Sequence, residues 1–108
     1  MVPFSDFAKL DFRVGEVKKA IVVEESERLI TLQVDLGSDY GIVEILTGIR
    51  AWYAPADLIG KKFIFIANLE PRPMMGKISS GMMFAAVVDE KASLLPVSSD
   101  IPNGAVVR

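Results

Sequence analysis

The stretch Ile30-Thr31-Leu32-Gln33-Val34-Asp35-Leu36 alternates strictly between apolar and polar side chains. Successive side chains of a β-strand point to opposite faces, so this period of two predicts a half-buried strand. It is the most regular alternation in the 108-residue chain. The stretch therefore points to an all-β fold, and the segments on either side of it indicate the architecture.

Four further strands are predicted around this one. The first is long and curved, with a bend expected at its internal glycine, Gly15. The third follows the turn at 37–41, and the last two are apolar throughout, as strands buried on both faces are. Their expected ranges are Phe12–Val23, Ile42–Leu46, Phe63–Ala67 and Met82–Val88.

Short helices are predicted at two places. Ser5–Leu10 has a capping residue and apolar positions three apart, and Pro55–Ile59 has proline near its start and Gly60 after its end. Five strands with a short helix between the third and fourth predict a small β-barrel of the OB type. No linker or internal repeat divides the chain, so residues 1–108 form one predicted domain.

The barrel is expected to take up about residues 1–90, which leaves 91–108 as a C-terminal extension. This extension contains Leu94, Leu95 and Val97 and ends with Val106 and Val107, although prolines interrupt it. Apolar residues make up 51 % of the chain. An apolar tail beyond a finished barrel needs a surface to pack on, so we expect a homodimer built partly by the extension.

The composition excludes most catalytic chemistry. The chain has no cysteine and no histidine, so it cannot form a disulfide, a Cys nucleophile, a His base or a zinc finger. The hydroxyls of Ser79 and Ser80 lack an activating base, and the carboxylate pairs of the chain occupy polar turns. We expect a binding protein without enzyme activity, cofactor or metal. The N-terminal residues predict neither a signal peptide nor a membrane span, so the expected location is the cytoplasm.

Positive charge is concentrated in one part of the chain. The formal net charge is −2, from 12 basic and 14 acidic residues. Residues 45–88 contain five basic and two acidic side chains, a balance of +3, and the remainder carries −5. A cationic part opposite an anionic one is typical of a site for a polyanion.

The segment 68–82 is the least generic part of the sequence and the expected ligand site, because the loop between the last two strands of OB folds commonly lines the ligand face. Arg72 and Lys77 are candidates for phosphate contacts, Asn68 and Ser79 for hydrogen bonds to sugar or phosphate, and Met82 for contact with a base or ribose. An exposed loop that only covers the barrel mouth is the alternative interpretation.

Several motifs resemble those of the stand-alone tRNA-binding domain, a module also appended to methionyl-tRNA synthetases and to EMAP-II-type proteins. They are Asp11-Phe12-Arg13-Val14-Gly15-Glu16-Val17, Thr47-Gly48-Ile49, Asn68-Leu69-Glu70-Pro71-Arg72 and Ser79-Ser80-Gly81-Met82. The resemblance implies an OB fold, a homodimer, and binding to the outer corner of tRNA through shape and backbone. It places RNA contacts on Asn68, Arg72, Ser79 and Met82, and it implies an aminoacyl-tRNA synthetase as a possible partner.

The CsaA-like export chaperones are a related branch of the same fold. That branch typically lacks the Ser-x-Gly-Met ending that this chain has at 79–82, so the tRNA-binding branch is favoured over a chaperone for unfolded polypeptides. Two positions depart from the tRNA-binding pattern, because Glu70 and Pro73 stand where that family often has basic residues. Glu70 precedes Arg72 by two residues, so we expect the two side chains to form a pair that weakens phosphate binding. The alternative is that Glu70 forms a structural pair elsewhere, such as with Lys62.

Overall fold

The computed structural model describes all 108 residues, and its main element is a nearly closed β-barrel. In chain order the barrel strands are β1 (Phe12–Val22), β2 (Ile30–Asp35), β3 (Ile42–Thr47) and β4 (Lys62–Ile66). The loop after β4 folds into the hairpin β5 (Arg72–Met74) and β6 (Lys77–Ser79), followed by β7 (Met82–Met83). The remaining strands are β8 (Ala85–Val88), β9 (Lys91–Leu94), β10 (Pro96–Val97) and β11 (Val106–Val107).

The strand order of the main sheet is β10-β4-β1-β2-β3, with all pairs antiparallel. The barrel closes where β7 pairs with β4 and the segment around Ser80 reaches β3. There the Ser80 N–H donates to the Glu44 carbonyl oxygen at 2.8 Å. This arrangement confirms the predicted OB-like all-β barrel.

The alternation in β2 divides the two faces as the sequence predicts. Ile30, Leu32 and Val34 are fully buried in the core cluster. Thr31 and Gln33 lie on the outer face, where Gln33 is exposed but Thr31 is buried. Aromatic residues of β4 close the core from the other side, with Phe63 and Phe65 both buried.

The bend predicted at Gly15 lies elsewhere. Gly15 keeps its regular pairing with Phe63, and the register of β1 against β2 shifts between Val17 and Lys19. Gly15 instead allows close packing, because a Cβ atom there would lie only 2.6 Å from Cγ1 of Val34.

The predicted fifth strand is divided into two. Met82–Met83 pairs with β4, but Ala85–Val88 leaves the barrel and forms a separate hairpin with β9. The C-terminal extension also pairs within its own chain, since β10 adds to β4 and β11 adds to β1. The backbone of the apolar tail therefore has partners inside the protomer, although the side chains of Leu95 and Val106 stay exposed.

Both predicted helices are shorter than expected. The N-terminal helix α1 spans Phe4–Phe7, and a single 3₁₀ turn spans Pro55–Asp57, where the Asp57 carboxylate accepts from the Ala54 N–H at 2.8 Å. Every residue from 1 to 10 is exposed, so α1 has no core contact that would extend it. None of the helices has the length and apolar character needed to cross a bilayer.

Candidate nucleic-acid interface

The β5–β6 hairpin forms a separate two-stranded sheet within the connection between β4 and β7. Met74 pairs with Lys77, so Met75 and Gly76 form a two-residue turn with φ values of 50° and 77°. Positive φ at both positions is typical of a type I′ turn, which matches the twist of the flanking strands. Pro73 fixes one further backbone angle. The hairpin therefore presents its side chains from a stiff backbone.

Arg72 and Met82 lie together in one groove. It has a volume of about 450 Å³, and Leu69, Glu70 and the prolines at 71 and 73 complete its lining. The predicted Glu70–Arg72 pair is not formed, since neither side chain makes an ion pair within 4 Å or a side-chain hydrogen bond. The guanidinium and the thioether are thus open to a ligand.

Lys77 faces a different groove. That groove lies over the outer face of β1, β2 and β3, where Lys19, Gln33 and Glu44 also line it. The five residues predicted as one site are therefore distributed around the hairpin rather than gathered in a single cavity.

The Ser79 side chain links the β5–β6 hairpin to the barrel through hydrogen bonds. It is only 1 % exposed, and its Oγ accepts from the Leu46 N–H at 3.0 Å while donating to the Gly81 carbonyl at 3.2 Å. Gly81 adopts φ 143°, and a Cβ there would lie 2.7 Å from the Ile66 carbonyl oxygen. The Ser-x-Gly pair thus closes the barrel and sets the position of Met82.

Asn68 anchors the N-terminal segment. Its Oδ1 accepts from the Asp11 N–H at 2.8 Å, and its Nδ2 donates to the Lys9 carbonyl at 2.7 Å. Both ends of the side-chain amide are therefore engaged within the chain, although the residue is exposed.

Only part of the cationic segment is available to a ligand. Arg50 donates to the carbonyls of Val23 and Ser26, and Lys62 donates to the carbonyl of Ile101 at 2.6 Å. Lys61, Arg72 and Lys77 remain, all exposed and without an ion pair or a side-chain hydrogen bond.

Arg13 has a structural role, because its guanidinium is bound by two carboxylates of the chain. Its Nε donates to Asp11 at 2.7 Å, and its Nη1 donates to Asp39 at 2.9 Å. The Tyr40 hydroxyl donates to the same Asp11 carboxylate at 2.5 Å. The Arg13 guanidinium and the Tyr40 hydroxyl hold the pKa of Asp11 below its ordinary value of 3.8. This cluster ties β1 to the β2–β3 turn.

Sequence reasoning missed Lys19, Thr31, Gln33 and Glu44 as neighbours of the hairpin. The signal was present, because Thr31 and Gln33 are the polar positions of the alternating strand and must share its outer face. What the sequence did not reveal is that Lys19 and Glu44 flank Gln33 across the sheet.

Comparison with known proteins identifies the family of this chain. Residues 12–106 match the family model described as "Putative tRNA binding domain". The chain is 44 % identical over 108 residues to a methionine–tRNA ligase of Methanocaldococcus jannaschii, covering 99 % of the chain but only 16 % of the ligase.

Two solved structures share the whole fold. A MetRS-related protein from Pyrococcus horikoshii aligns with a TM-score of 0.93 and 38 % identity, covering 100 % of this chain and 98 % of that one. The chaperone CsaA from Bacillus anthracis aligns with a TM-score of 0.89 and 29 % identity, covering 100 % and 99 %. The chain is thus a member of the tRNA-binding domain family, related to a segment of the methionine–tRNA ligases.

Proposed function

We propose that this protein binds folded tRNA as a non-catalytic module, gripping the backbone at the corner of the molecule. The observation that carries the proposal is the groove lined by both Arg72 and Met82, in which the Arg72 guanidinium has no ion pair and no side-chain hydrogen bond in the chain. A guanidinium suits phosphate, and a thioether beside it suits the apolar surface of a ribose or base. Lys61 and Lys77 supply further exposed positive charge.

Asn68 and Ser79 contribute to this site indirectly. Their polar atoms are engaged with backbone groups, so their role is to hold the loop that presents Arg72 and Met82. In this proposal the direct contacts come from Arg72, Lys77 and Met82.

A methionyl-tRNA synthetase is the proposed partner in trans. The support is the relationship to methionine–tRNA ligases, of which the chain spans about one-sixth of the length. A module that holds tRNA beside a synthetase raises the local concentration of its substrate. Such a role places the protein in the cytoplasm.

The protein is proposed to act as a homodimer through its N-terminal segment. Phe4, Phe7 and Leu10 are exposed and line a groove of about 660 Å³ that continues along Val106 and Val107. Phe7 stacks on Phe12 with ring centroids 5.5 Å apart, so this apolar surface extends onto the barrel. Contiguous exposed apolar surface of this kind marks an interaction site.

Light scattering tests the dimer. The wild-type protein should give twice the mass of the 11.8 kDa chain, and replacing Phe4 and Phe7 by Asp should give a folded monomer. Both residues are exposed and outside the core cluster, and the substitutions remove only the stacking of Phe7 on Phe12 from the barrel. The barrel should therefore stay folded, unlike after removal of the paired C-terminal strands. A monomeric wild type at micromolar concentration contradicts the proposal.

A chaperone for unfolded polypeptides is the second candidate function. The similarity to CsaA proteins and the same apolar N-terminal groove favour it. The two functions predict different competitors for the binding site: folded tRNA for the first and an unfolded polypeptide for the second.

The deciding experiment measures a labelled folded tRNA bound to the protein, with competition by unlabelled tRNA, by an unstructured RNA of equal length and by a reduced, unfolded polypeptide. The proposed function predicts that only folded tRNA competes efficiently. Efficient competition by unstructured RNA contradicts recognition of tRNA shape, and tight binding of the polypeptide without tRNA binding establishes the chaperone instead.

A further inference from the structure

The groove that contains Lys77 has features of a second, separate binding site. Its volume is about 250 Å³, and it crosses the outer face of three strands. Lys19 pairs across the sheet with Gln33, and Gln33 pairs with Glu44, so these three form one row. Lys77 completes the row on the hairpin side, since β6 packs against β3.

Thr31 lies at the floor of this groove with its hydroxyl unsatisfied. The residue is only 9 % exposed, and Oγ1 makes no hydrogen bond. A buried hydroxyl without a partner costs about 1–3 kcal/mol, a cost that valine of nearly the same shape avoids. Oγ1 has almost no accessible surface, so a ligand in the groove reaches it only when the Thr31 side chain rotates toward the groove. A partner gained in that way would satisfy the hydroxyl.

The side chains above Thr31 are also free. Lys19, Gln33, Glu44 and Lys77 make no side-chain hydrogen bond and no ion pair, although both charge signs line one small groove. Glu24 and Glu25 line it as well, so its formal balance is −1. An anionic balance disfavours a bare phosphate and favours a ligand that donates hydrogen bonds.

We infer that this groove is a subsite for an unpaired guanine nucleotide. Glu44 offers two acceptor oxygens and no donor, and guanine is the base whose pairing edge presents two adjacent donors, N1–H and the exocyclic amine. The Gln33 amide and the Thr31 hydroxyl can each both donate and accept, and so complement the remaining polar atoms of the base. Lys19 and Lys77 stand at opposite ends of the row, so one of them can pair with the attached phosphate while the base occupies the middle of the groove.

This inference rests on the proposed function, to which it adds one base-reading contact. The Arg72 groove grips the backbone of the RNA, and the Thr31 groove takes a single base out of the stack. Proteins read unstacked RNA bases in this way, through hydrogen bonds to the pairing edge.

The test is a titration of the full chain with 5′-GMP, followed by the backbone amide resonances in a ¹H–¹⁵N NMR spectrum. Shifts are expected at Thr31, Gln33 and Glu44. Inosine 5′-monophosphate lacks the exocyclic amine, so it should bind about tenfold to 150-fold more weakly, which is the loss of one hydrogen bond to a charged group. The nucleotides of adenine, cytosine and uracil should be weaker still.

Two variants check the assignment within the same fold. Glu44→Gln replaces one acceptor by a donor and should abolish the preference for GMP over IMP. Thr31→Val removes the floor hydroxyl, weakens GMP and raises the thermal stability of the free protein. Lys91→Gln, which lies outside both grooves, is the control, and its GMP affinity should equal that of the wild type.

The outcomes separate this inference from the proposed function. Absence of shifts in the groove, or equal affinity for all nucleotides, overturns the guanine subsite even if folded tRNA binds. Selective GMP binding in a protein that fails to bind folded tRNA supports the subsite and overturns the proposed function.

Discussion

Replacing Ser79 by Ala tests whether this side chain has a structural role or contacts RNA directly. The substitution leaves the Leu46 N–H and the Gly81 carbonyl without their partner, at a site where Ser79 is 1 % exposed and water has little access. An unsatisfied buried amide costs about 1–3 kcal/mol. For a domain of this size that loss lowers Tm by about 5–15 °C.

Thermal unfolding followed by circular dichroism measures this loss. Ser80→Ala is the matched control, because Ser80 contributes only its backbone N–H, which alanine retains. The control should unfold within about 2 °C of the wild type. At a temperature where both variants are folded, Ser79→Ala should weaken tRNA binding less than Arg72→Gln does, because Ser79 positions Met82 and makes no contact of its own. A Ser79→Ala protein with unchanged Tm and weakened tRNA binding would refute the structural role of Ser79.

Three further predictions follow from single contacts. Gly15→Ala should destabilise the barrel by about 1–3 kcal/mol in urea unfolding, because the new Cβ lies 2.6 Å from a core methyl group. An unchanged unfolding midpoint would show that the core accommodates the added methyl group without loss of stability. Asp11→Asn should destabilise the protein at neutral pH but progressively less as pH falls below 3.8, because the folded-state pKa of Asp11 is depressed and the carboxylate stops contributing once it is protonated. The control Asp6→Asn removes a carboxylate that contacts only an exposed lysine, so it should lose little stability. A loss of stability in Asp11→Asn that does not change with pH would contradict the ionic role of Asp11. Glu70→Lys should tighten tRNA binding about fivefold at low salt, because Glu70 shares the groove of Arg72; equal affinity with a lowered Tm would assign Glu70 to the scaffold.

Most of the fold prediction rested on the alternation in β2, because a period of two indicates both that the segment is a strand and which of its faces is buried. The run Met82–Val88 was harder, since it is apolar throughout and does not indicate its partner strand. Ala85–Val88 leaves the barrel because β9 follows after a tight turn and pairs with it locally. Pairing choices of this kind depend on which edge is free, a property of the assembled sheet.

The candidate site was predictable in composition but not in geometry. Ser79 and Ser80 are equivalent in sequence, yet only the first is placed to accept from the backbone of β3. Asn68 looks like a loop residue until the N-terminal segment folds against it, 57 residues away from Asp11. Contacts between distant segments decide which polar side chains remain free for a ligand.

The most direct test of tRNA binding by backbone contacts is the salt dependence of the affinity. Three exposed, unpaired cations, Lys61, Arg72 and Lys77, predict a slope of log K against log[salt] of about −2 to −3. Arg72→Gln should reduce the magnitude of the slope by about 0.7–0.9, whereas Lys91→Gln, outside the cationic segment, should leave it unchanged. A slope near zero in the wild type, or an equal slope in the Arg72 variant, would contradict the proposed phosphate contacts.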